Sequence, residues 1–428
     1  MTRSIAYRRV GGPVRAPASK SSMQRAVACA LLADGESALR SPSRSADCLA
    51  ALEVARGFGA VVADRGETIV IRGAPRSMDL ARATEGARRL SCGESGLCMR
   101  MFSPIAALFG GETELAAEGS LRRRPVGMIA APLAELGAAC ATADGLPPVR
   151  VRGPLRGGRA KVDGRASSQF LTGLLIALPL AERDSDLDVE GLASRGYVDL
   201  TIGTMRAFGV EAERSAGFSR FRVAAAQSYE AGDFEVEGDW SGAAFLLVAG
   251  AIAASESPLV VAGLEAESSQ PDRSVLAALR AAGAIVESDG ASLKVAKGRL
   301  EAFAFDATES PDLFPPLVAL AAACEGVTRI KGVGRLRGKE SDRAAALSEE
   351  FGALGARVAI EGDDMLVLGG GRLWGGRIDS RGDHRIAMAA AIASLFSENP
   401  VEIDGSECVA KSWPTFFEDF AAVAGSAR

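Results

Sequence analysis

One pattern constrains this chain more than any other: a helix that ends in glycine and passes into a strand recurs at a period near 72 residues. It reads GFGAVV at Gly57 to Val62, ELGAAC at Glu135 to Cys140, AFGVEA at Ala207 to Ala212, AAGAIV at Ala281 to Val286 and ALGARV at Ala353 to Val358. Gly59, Gly137, Gly209, Gly283 and Gly355 suit the left-handed position just past a helix C-terminus, where a Cβ is penalised. Ordinary α/β punctuation explains one or two such copies. Five at near-constant spacing imply a repeated supersecondary unit.

A second marker runs half a unit out of phase. Six stretches are apolar on nearly every face: Arg25 to Leu32, Arg100 to Phe109, Phe170 to Leu180, Ala243 to Ala254, Phe314 to Cys324 and Arg385 to Phe396. Such helices are buried all round, unlike the amphipathic ones that precede each glycine. Short strands such as Thr68 to Arg72, Val149 to Arg152 and Ser292 to Val295 close the units. The expectation is an α/β fold of six units with helices inward and sheets outward, divided into two domains of three. The length of 428 residues fits two domains better than one core.

Composition narrows the function. A hydrophobic share of 48% and a charged share of 24% describe a globular protein. The net charge of −5 supplies no global basic field for nucleic acid, so anion binding must come from local Arg and Lys clusters. No apolar run has the length of a membrane span or a signal segment, which points to a cytoplasmic protein without a membrane partner. Seven scattered cysteines form no CxxC pair, and His384 is the only histidine, so no transition-metal site is expected.

Polar clusters sit at the starts of the apolar helices, where free N–H groups and the positive dipole end favour anions. The first is Pro17-Ala18-Ser19-Lys20-Ser21-Ser22-Met23-Gln24-Arg25, in which Ser21 and Arg25 share a helix face. The second is Cys92-Gly93-Glu94-Ser95-Gly96-Leu97-Cys98-Met99-Arg100, followed by Arg122-Arg123-Arg124-Pro125. The third is Asp163-Gly164-Arg165-Ala166-Ser167-Ser168-Gln169-Phe170, with Ser194-Arg195-Gly196-Tyr197 beyond it. The last group, Pro311-Asp312, Lys339-Glu340-Ser341-Asp342-Arg343, Asp383-His384-Arg385 and Lys411, mixes carboxylates with cations as acid–base chemistry on an anionic substrate requires.

In order and spacing these clusters resemble the enolpyruvyl transferase family, and within it the 5-enolpyruvylshikimate-3-phosphate synthase branch. The matching patterns are PxSKS with Arg25, GxSG with Arg100, RP, DGxxSSQFLT, SxxYxxxT, EGDxS, PD, KESDR, DHRxAM and the final AK, over more than nine-tenths of the chain. The resemblance implies two domains, each of three βαβαββ units with buried helices, in an inside-out α/β barrel arrangement that closes on substrate. Residues 20–231 would form the acceptor-side domain, and residues 1–19 with 232–428 the other. It also implies transfer of the carboxyvinyl group of phosphoenolpyruvate to the 5-hydroxyl of shikimate 3-phosphate, with release of phosphate and with no metal or organic cofactor; a monomer is expected.

Carried over position by position, the resemblance gives shikimate 3-phosphate to Lys20, Ser21, Arg25, Ser167, Ser168, Gln169, Ser194, Tyr197, Asp312 and Lys339. It gives phosphoenolpyruvate to Lys20, Gly96, Arg124, Gln169, Arg343, Arg385 and Lys411, the site that the herbicide glyphosate occupies in the family. Asp312 would be the base at the 5-hydroxyl, and Glu340, Lys20, Lys411 and His384 candidates for proton exchange at the methylene carbon. The chain departs from the common pattern at Met23, Glu94, Leu97, Gly196 and Arg335. Glu94 should repel phosphoenolpyruvate unless it is paired or turned away. Two other readings are a sister transferase acting on a UDP-linked amino sugar and a non-catalytic paralogue that binds phosphorylated ligands. The sister family carries Lys-Asn where this chain has Lys20-Ser21, and a cysteine in the loop that here runs from Gly110 to Arg124 without one.

Overall fold

A computed structural model describes residues 1–74, 88–165, 167–290 and 292–426. The chain divides into two compact units: Ala18–Val236, and Met1–Pro17 together with Glu237–Arg428. Each is organised around its own continuous apolar core.

In the unit Ala18–Val236, three four-stranded sheets share one topology. Glu36–Arg40 pairs parallel with Asp233–Glu235 and antiparallel with Thr68–Arg72, which pairs antiparallel with Val61–Asp64. The sheets built on Glu112–Ala116 and Ser185–Glu190 repeat this scheme of one parallel and two antiparallel pairings. In the other unit, Leu259–Ala262 and Gly326–Lys331 anchor two more sheets of the same kind. The sixth is assembled from both ends of the sequence: Val401–Asp404 pairs parallel with Gly376–Asp379 and antiparallel with Thr2–Ile5.

Six helices carry the cores: α1 (Lys20–Leu32), α2 (Gly96–Ala106), α3 (Gln169–Ala177), α4 (Trp240–Ala253), α5 (Phe314–Ala323) and α6 (His384–Ala393). Every residue of α2 and of α6 is buried, as expected of helices apolar on all sides. Gly173 of α3 permits the closest approach, since a Cβ there would lie 2.4 Å from the carbonyl oxygen of Met101 in α2. The five glycines that mark the repeat have φ between 78° and 101° and follow amphipathic helices. The sixth such helix, Phe416–Val423, runs directly into the strand Ala424–Ser426; Gly425 follows it at the same interval but is paired with Arg9 inside that strand, so the positive-φ turn has five copies rather than six.

All but one of the buried helices begin earlier than their apolar stretches suggest, and in four of them a side chain caps the polar first turn. Ser19 Oγ accepts from Ser22 N at 3.2 Å, Ser95 Oγ from Cys98 N at 3.2 Å, Asp239 Oδ1 from Ser241 N at 2.9 Å and Asp383 Oδ1 from Arg385 N at 3.0 Å. The exception, α5, starts where its apolar stretch does and enters through the short 3₁₀ turn Pro311–Leu313. Lys20, Ser21, Gln169, His384 and Arg385 therefore stand inside first helical turns, on rigid supports. Among the described residues no helix is long and apolar enough to cross a membrane.

Candidate active site

In the unit Ala18–Val236, the first turn of α1 presents Lys20 and Ser21. Lys20 Nζ lies 3.0 Å from Asp47 Oδ2, a carboxylate that is itself buried. Arg25 is wholly interior: Nε donates to Thr201 Oγ1 at 2.9 Å, Nη1 to the Ser21 carbonyl at 2.7 Å, and Nη2 to Thr172 Oγ1 and the Tyr197 carbonyl, each at 3.2 Å. Its guanidinium carbon also lies 5.7 Å from the centre of the Tyr197 ring. Arg25 thus ties α1 to α3 and to the helix Gly196–Ala207, a structural duty that sequence spacing alone did not reveal. Ser168 and Ser194 are buried and Ser167 half-buried; Ser194 holds φ at 58°, an uncommon conformation for a residue with a Cβ.

The start of α2 brings a second group together. A Cβ built on Gly96 would lie 2.8 Å from Arg124 Nη1 and 2.7 Å from Arg100 Nη1, so glycine is what lets two guanidinium groups close on that backbone. Arg100 also donates to Gln169 Oε1 at 2.7 Å and to the Pro125 carbonyl at 2.8 Å. Glu94 is paired: its Oε2 accepts from Ser120 N at 3.0 Å and Ser120 Oγ at 2.7 Å. Met23 is fully buried, where its sulfur accepts from Ser43 N at 3.1 Å.

The other unit gathers Asp312, Lys339, Glu340, Arg343, Asp383 and Arg385. Arg343 is completely buried and meets three carboxylates: Nη1 to Asp312 Oδ1 at 2.8 Å, Nη2 to Glu340 Oε2 at 2.7 Å and Nε to Asp383 Oδ2 at 2.9 Å. Asp312 also takes Lys339 Nζ at 3.3 Å and Arg385 Nη2 at 3.2 Å. Asp383 caps α6 and accepts from Ser341 Oγ at 3.1 Å, so one buried carboxylate orients both Arg343 and the backbone of Arg385. His384 is buried beside it, with Nδ1 3.9 Å from Asp383 Oδ1, beyond hydrogen-bond range. Lys411 ends the 3₁₀ turn Ser406–Lys411 and is buried as well.

Burial alone would push the Asp312 carboxyl up. The attraction of Arg385, Lys339 and Arg343 outweighs it and holds the group well below the usual carboxylate range. Burial works against the charge of Arg343, but Asp383, Glu340 and Asp312 keep it more firmly protonated than an ordinary arginine. The site is therefore not a bare cage of cations. Lys339, Arg343 and Arg385 face Asp312, Glu340 and Asp383, and an incoming anion must exchange with carboxylates rather than fall into an empty positive field.

Comparison with known proteins draws these features together. The family model for EPSP synthase (3-phosphoshikimate 1-carboxyvinyltransferase) matches residues 6–420. The 3-phosphoshikimate 1-carboxyvinyltransferase of Clostridium botulinum is 36% identical over 418 residues, covering 97% of this chain and 95% of that protein. The one from Halobacterium salinarum strain R1 is 37% identical over 430 residues, covering 99% of each. The chain belongs to the EPSP synthase family. The solved EPSP synthase of Acinetobacter baumannii superposes with a TM-score of 0.82 at 26% identity, covering 99% of this chain and 98% of that one. The two units of three βαβαββ repeats, with buried helices and outer sheets, are thus the inside-out α/β architecture of EPSP synthases.

Within this EPSP synthase framework, the structure adds residues that sequence motifs passed over. Asp47 faces Lys20, Asp383 supports Arg343, and Arg100 holds Gln169. Asp383 stood inside the DHRxAM pattern, yet its pairing with Arg343, 40 residues earlier, is a tertiary fact. Arg335, another departure from the family pattern, donates from Nε to the Thr308 carbonyl at 3.4 Å; burial lowers its proton affinity while Glu309 and Asp312 act in the opposite direction. Among the described residues, no group of three or more His, Cys, Asp or Glu side chains is arranged to hold a metal ion.

Proposed function

We propose that this chain transfers the enolpyruvyl group of phosphoenolpyruvate to the 5-hydroxyl of shikimate 3-phosphate and releases inorganic phosphate, the 3-phosphoshikimate 1-carboxyvinyltransferase reaction of its family. The observation that carries the reading is Asp312, a carboxylate at a helix start in contact with Lys339, Arg343 and Arg385. A ligand-binding paralogue has no use for a base held among cations.

Shikimate 3-phosphate is assigned to Lys20, Ser21, Arg25, Ser167, Ser168, Gln169, Ser194, Tyr197, Asp312 and Lys339. Because Arg25 already serves protein oxygens, its contribution is to fix Ser21 and Tyr197. Phosphoenolpyruvate is assigned to Lys20, Gly96, Arg124, Gln169, Arg343, Arg385 and Lys411. Asp312 removes the proton of the 5-hydroxyl as that oxygen attacks C2 of phosphoenolpyruvate. C3 takes up a proton from the set Glu340, Lys20, Lys411 and His384, giving a tetrahedral intermediate. Return of a C3 proton to the protein and cleavage of the C2–O bond to phosphate then expel phosphate and form the enol ether, with the C2=C3 double bond restored. Guanidinium groups around the phosphate and carboxylate stabilise charge throughout.

Phosphate release from phosphoenolpyruvate, measured with and without shikimate 3-phosphate, tests the reading. Release that depends on shikimate 3-phosphate supports it. Release that depends instead on a UDP-linked amino sugar identifies the sister reaction, and none with either acceptor identifies a binding protein. The seven free cysteines fit a reducing compartment, and on that ground we place the reaction in the cytoplasm.

A further inference from the structure

We propose that Glu94 is a positioning residue for Arg124: its carboxylate clasps the turn that carries that arginine and thereby sets the affinity for phosphoenolpyruvate. The proposal rests on the assignment of Arg124 to phosphoenolpyruvate made above.

Two backbone segments run together here. Cys92 N donates to the Ala116 carbonyl at 2.9 Å and Glu118 N to the Gly93 carbonyl at 2.8 Å. Backbone pairing between them then gives way to a side chain. Glu94 Oε2 takes both Ser120 N and Ser120 Oγ, at 3.0 and 2.7 Å. The intervening Gly119 has φ of 46°, and a Cβ on it would fall 2.2 Å from Glu94 Oε1, so the carboxylate lies directly against the glycine backbone. Ser120 belongs to the 3₁₀ turn Gly119–Arg123, so the carboxylate holds the start of that turn through a charge-assisted pair of hydrogen bonds.

That turn delivers Arg124. Arg124 N closes it by donating to the Leu121 carbonyl at 3.0 Å, and the guanidinium then reaches Gly96 at the start of α2. Just beyond, Arg100 Nη2 holds the Pro125 carbonyl at 2.8 Å. The backbone bearing Arg124 is thus fixed on one side by Arg100 and on the other by Glu94. An acidic residue that looks misplaced beside an anion site is, in this geometry, a tether for the cation that the anion meets.

The opposite view, that Glu94 simply repels phosphoenolpyruvate, predicts the opposite sign, and steady-state kinetics at saturating shikimate 3-phosphate separate the two. Glu94→Ala should raise KM for phosphoenolpyruvate by roughly tenfold, the loss of a charge-assisted pair of hydrogen bonds, with kcat changed by less than about twofold. Glu94→Gln keeps an acceptor for Ser120 and should stay within about threefold of the parent. Hydrogen exchange at the Ser120 amide, read without substrate, should lose protection in Glu94→Ala and keep it in Glu94→Gln. Combined with Arg124→Ala, Glu94→Ala should add little further to KM. A fall in KM on either Glu94 substitution, or an unchanged KM together with lost Ser120 protection, overturns the proposal. If Arg124→Ala alone leaves KM unchanged, the assignment of Arg124 is at fault, and the proposal falls with it.

Discussion

Arg343 Nη1 stands 2.8 Å from Asp312 Oδ1, so the residue assigned as base and a residue assigned to phosphoenolpyruvate occupy each other before either meets a substrate. In the free protein, Asp312 is a stabilised anion and a weak base. Anions that draw Arg343 and Arg385 toward themselves release it, which couples substrate binding to basicity.

This coupling fixes a pH dependence. A carboxyl depressed in the folded state contributes stability that is complete above its unfolded value, about 3.9, and is lost as pH falls through the depressed value. Asp312 should accordingly impose no acid limb on kcat/KM above about pH 5, since that ratio reports the free protein, while kcat, which reports the bound complex, should show a limb at higher pH. Asp312→Asn should lower kcat by about 10²- to 10⁴-fold. A kcat/KM limb above pH 5 that disappears in Asp312→Asn would contradict the ion-paired free state.

Lys20 and Asp47 make a nearly buried pair, so removing one partner strands the other. Lys20→Met should abolish most turnover and also cost roughly 1–3 kcal/mol of stability through the uncompensated carboxylate. Adding Asp47→Asn should restore the stability and leave the turnover lost. Denaturant melts and phosphate-release assays on both variants test this, and recovery of turnover in the double variant would deny Lys20 a part in the chemistry.

Gly96→Ala places a methyl group 2.8 Å from Arg124 Nη1 and 3.0 Å from its Cζ. The guanidinium must shift, and KM for phosphoenolpyruvate should rise by about tenfold while thermal stability changes little, because both obstructing groups are ends of flexible side chains. Because the same methyl falls 2.7 Å from Arg100 Nη1, which holds Gln169, binding of shikimate 3-phosphate alone, measured by calorimetry, should weaken, but less than that of phosphoenolpyruvate.

Gly173→Ala meets backbone instead. Its Cβ would lie 2.4 Å from the Met101 carbonyl oxygen, with Met101 Cα at 2.8 Å, and two buried helices must separate. A loss of about 2–3 kcal/mol is expected, without a selective effect on either KM. A denaturation midpoint equal to that of the parent would show that α2 and α3 are less tightly seated than described.

The repeat made the fold legible because each copy obeys local rules, a positive-φ glycine after a helix and an apolar stretch half a period on. In the sixth copy Gly425 follows its helix at the same interval but lies inside a strand, so the positive-φ turn is missing there although the unit is not. Helix starts were misplaced because Ser19, Ser95, Asp239 and Asp383 cap turns too polar to look like buried helix. Site residues were legible as cation and carboxylate types in order. Their partners were not, since Lys20 with Asp47 spans 27 residues, Arg343 with Asp383 spans 40, and such pairings are made only by the folded chain.

The sheet that joins Thr2–Ile5 to Val401–Asp404 has a consequence for how the molecule is made. Thr2–Ile5 is synthesised roughly 20 to 80 s before its partner Val401–Asp404 at ordinary translation rates. In that interval the whole of Ala18–Val236 is made, while Ile5, buried in the finished sheet, has no strand to pair with. The growing chain thus carries an unpaired strand until synthesis reaches Asp404.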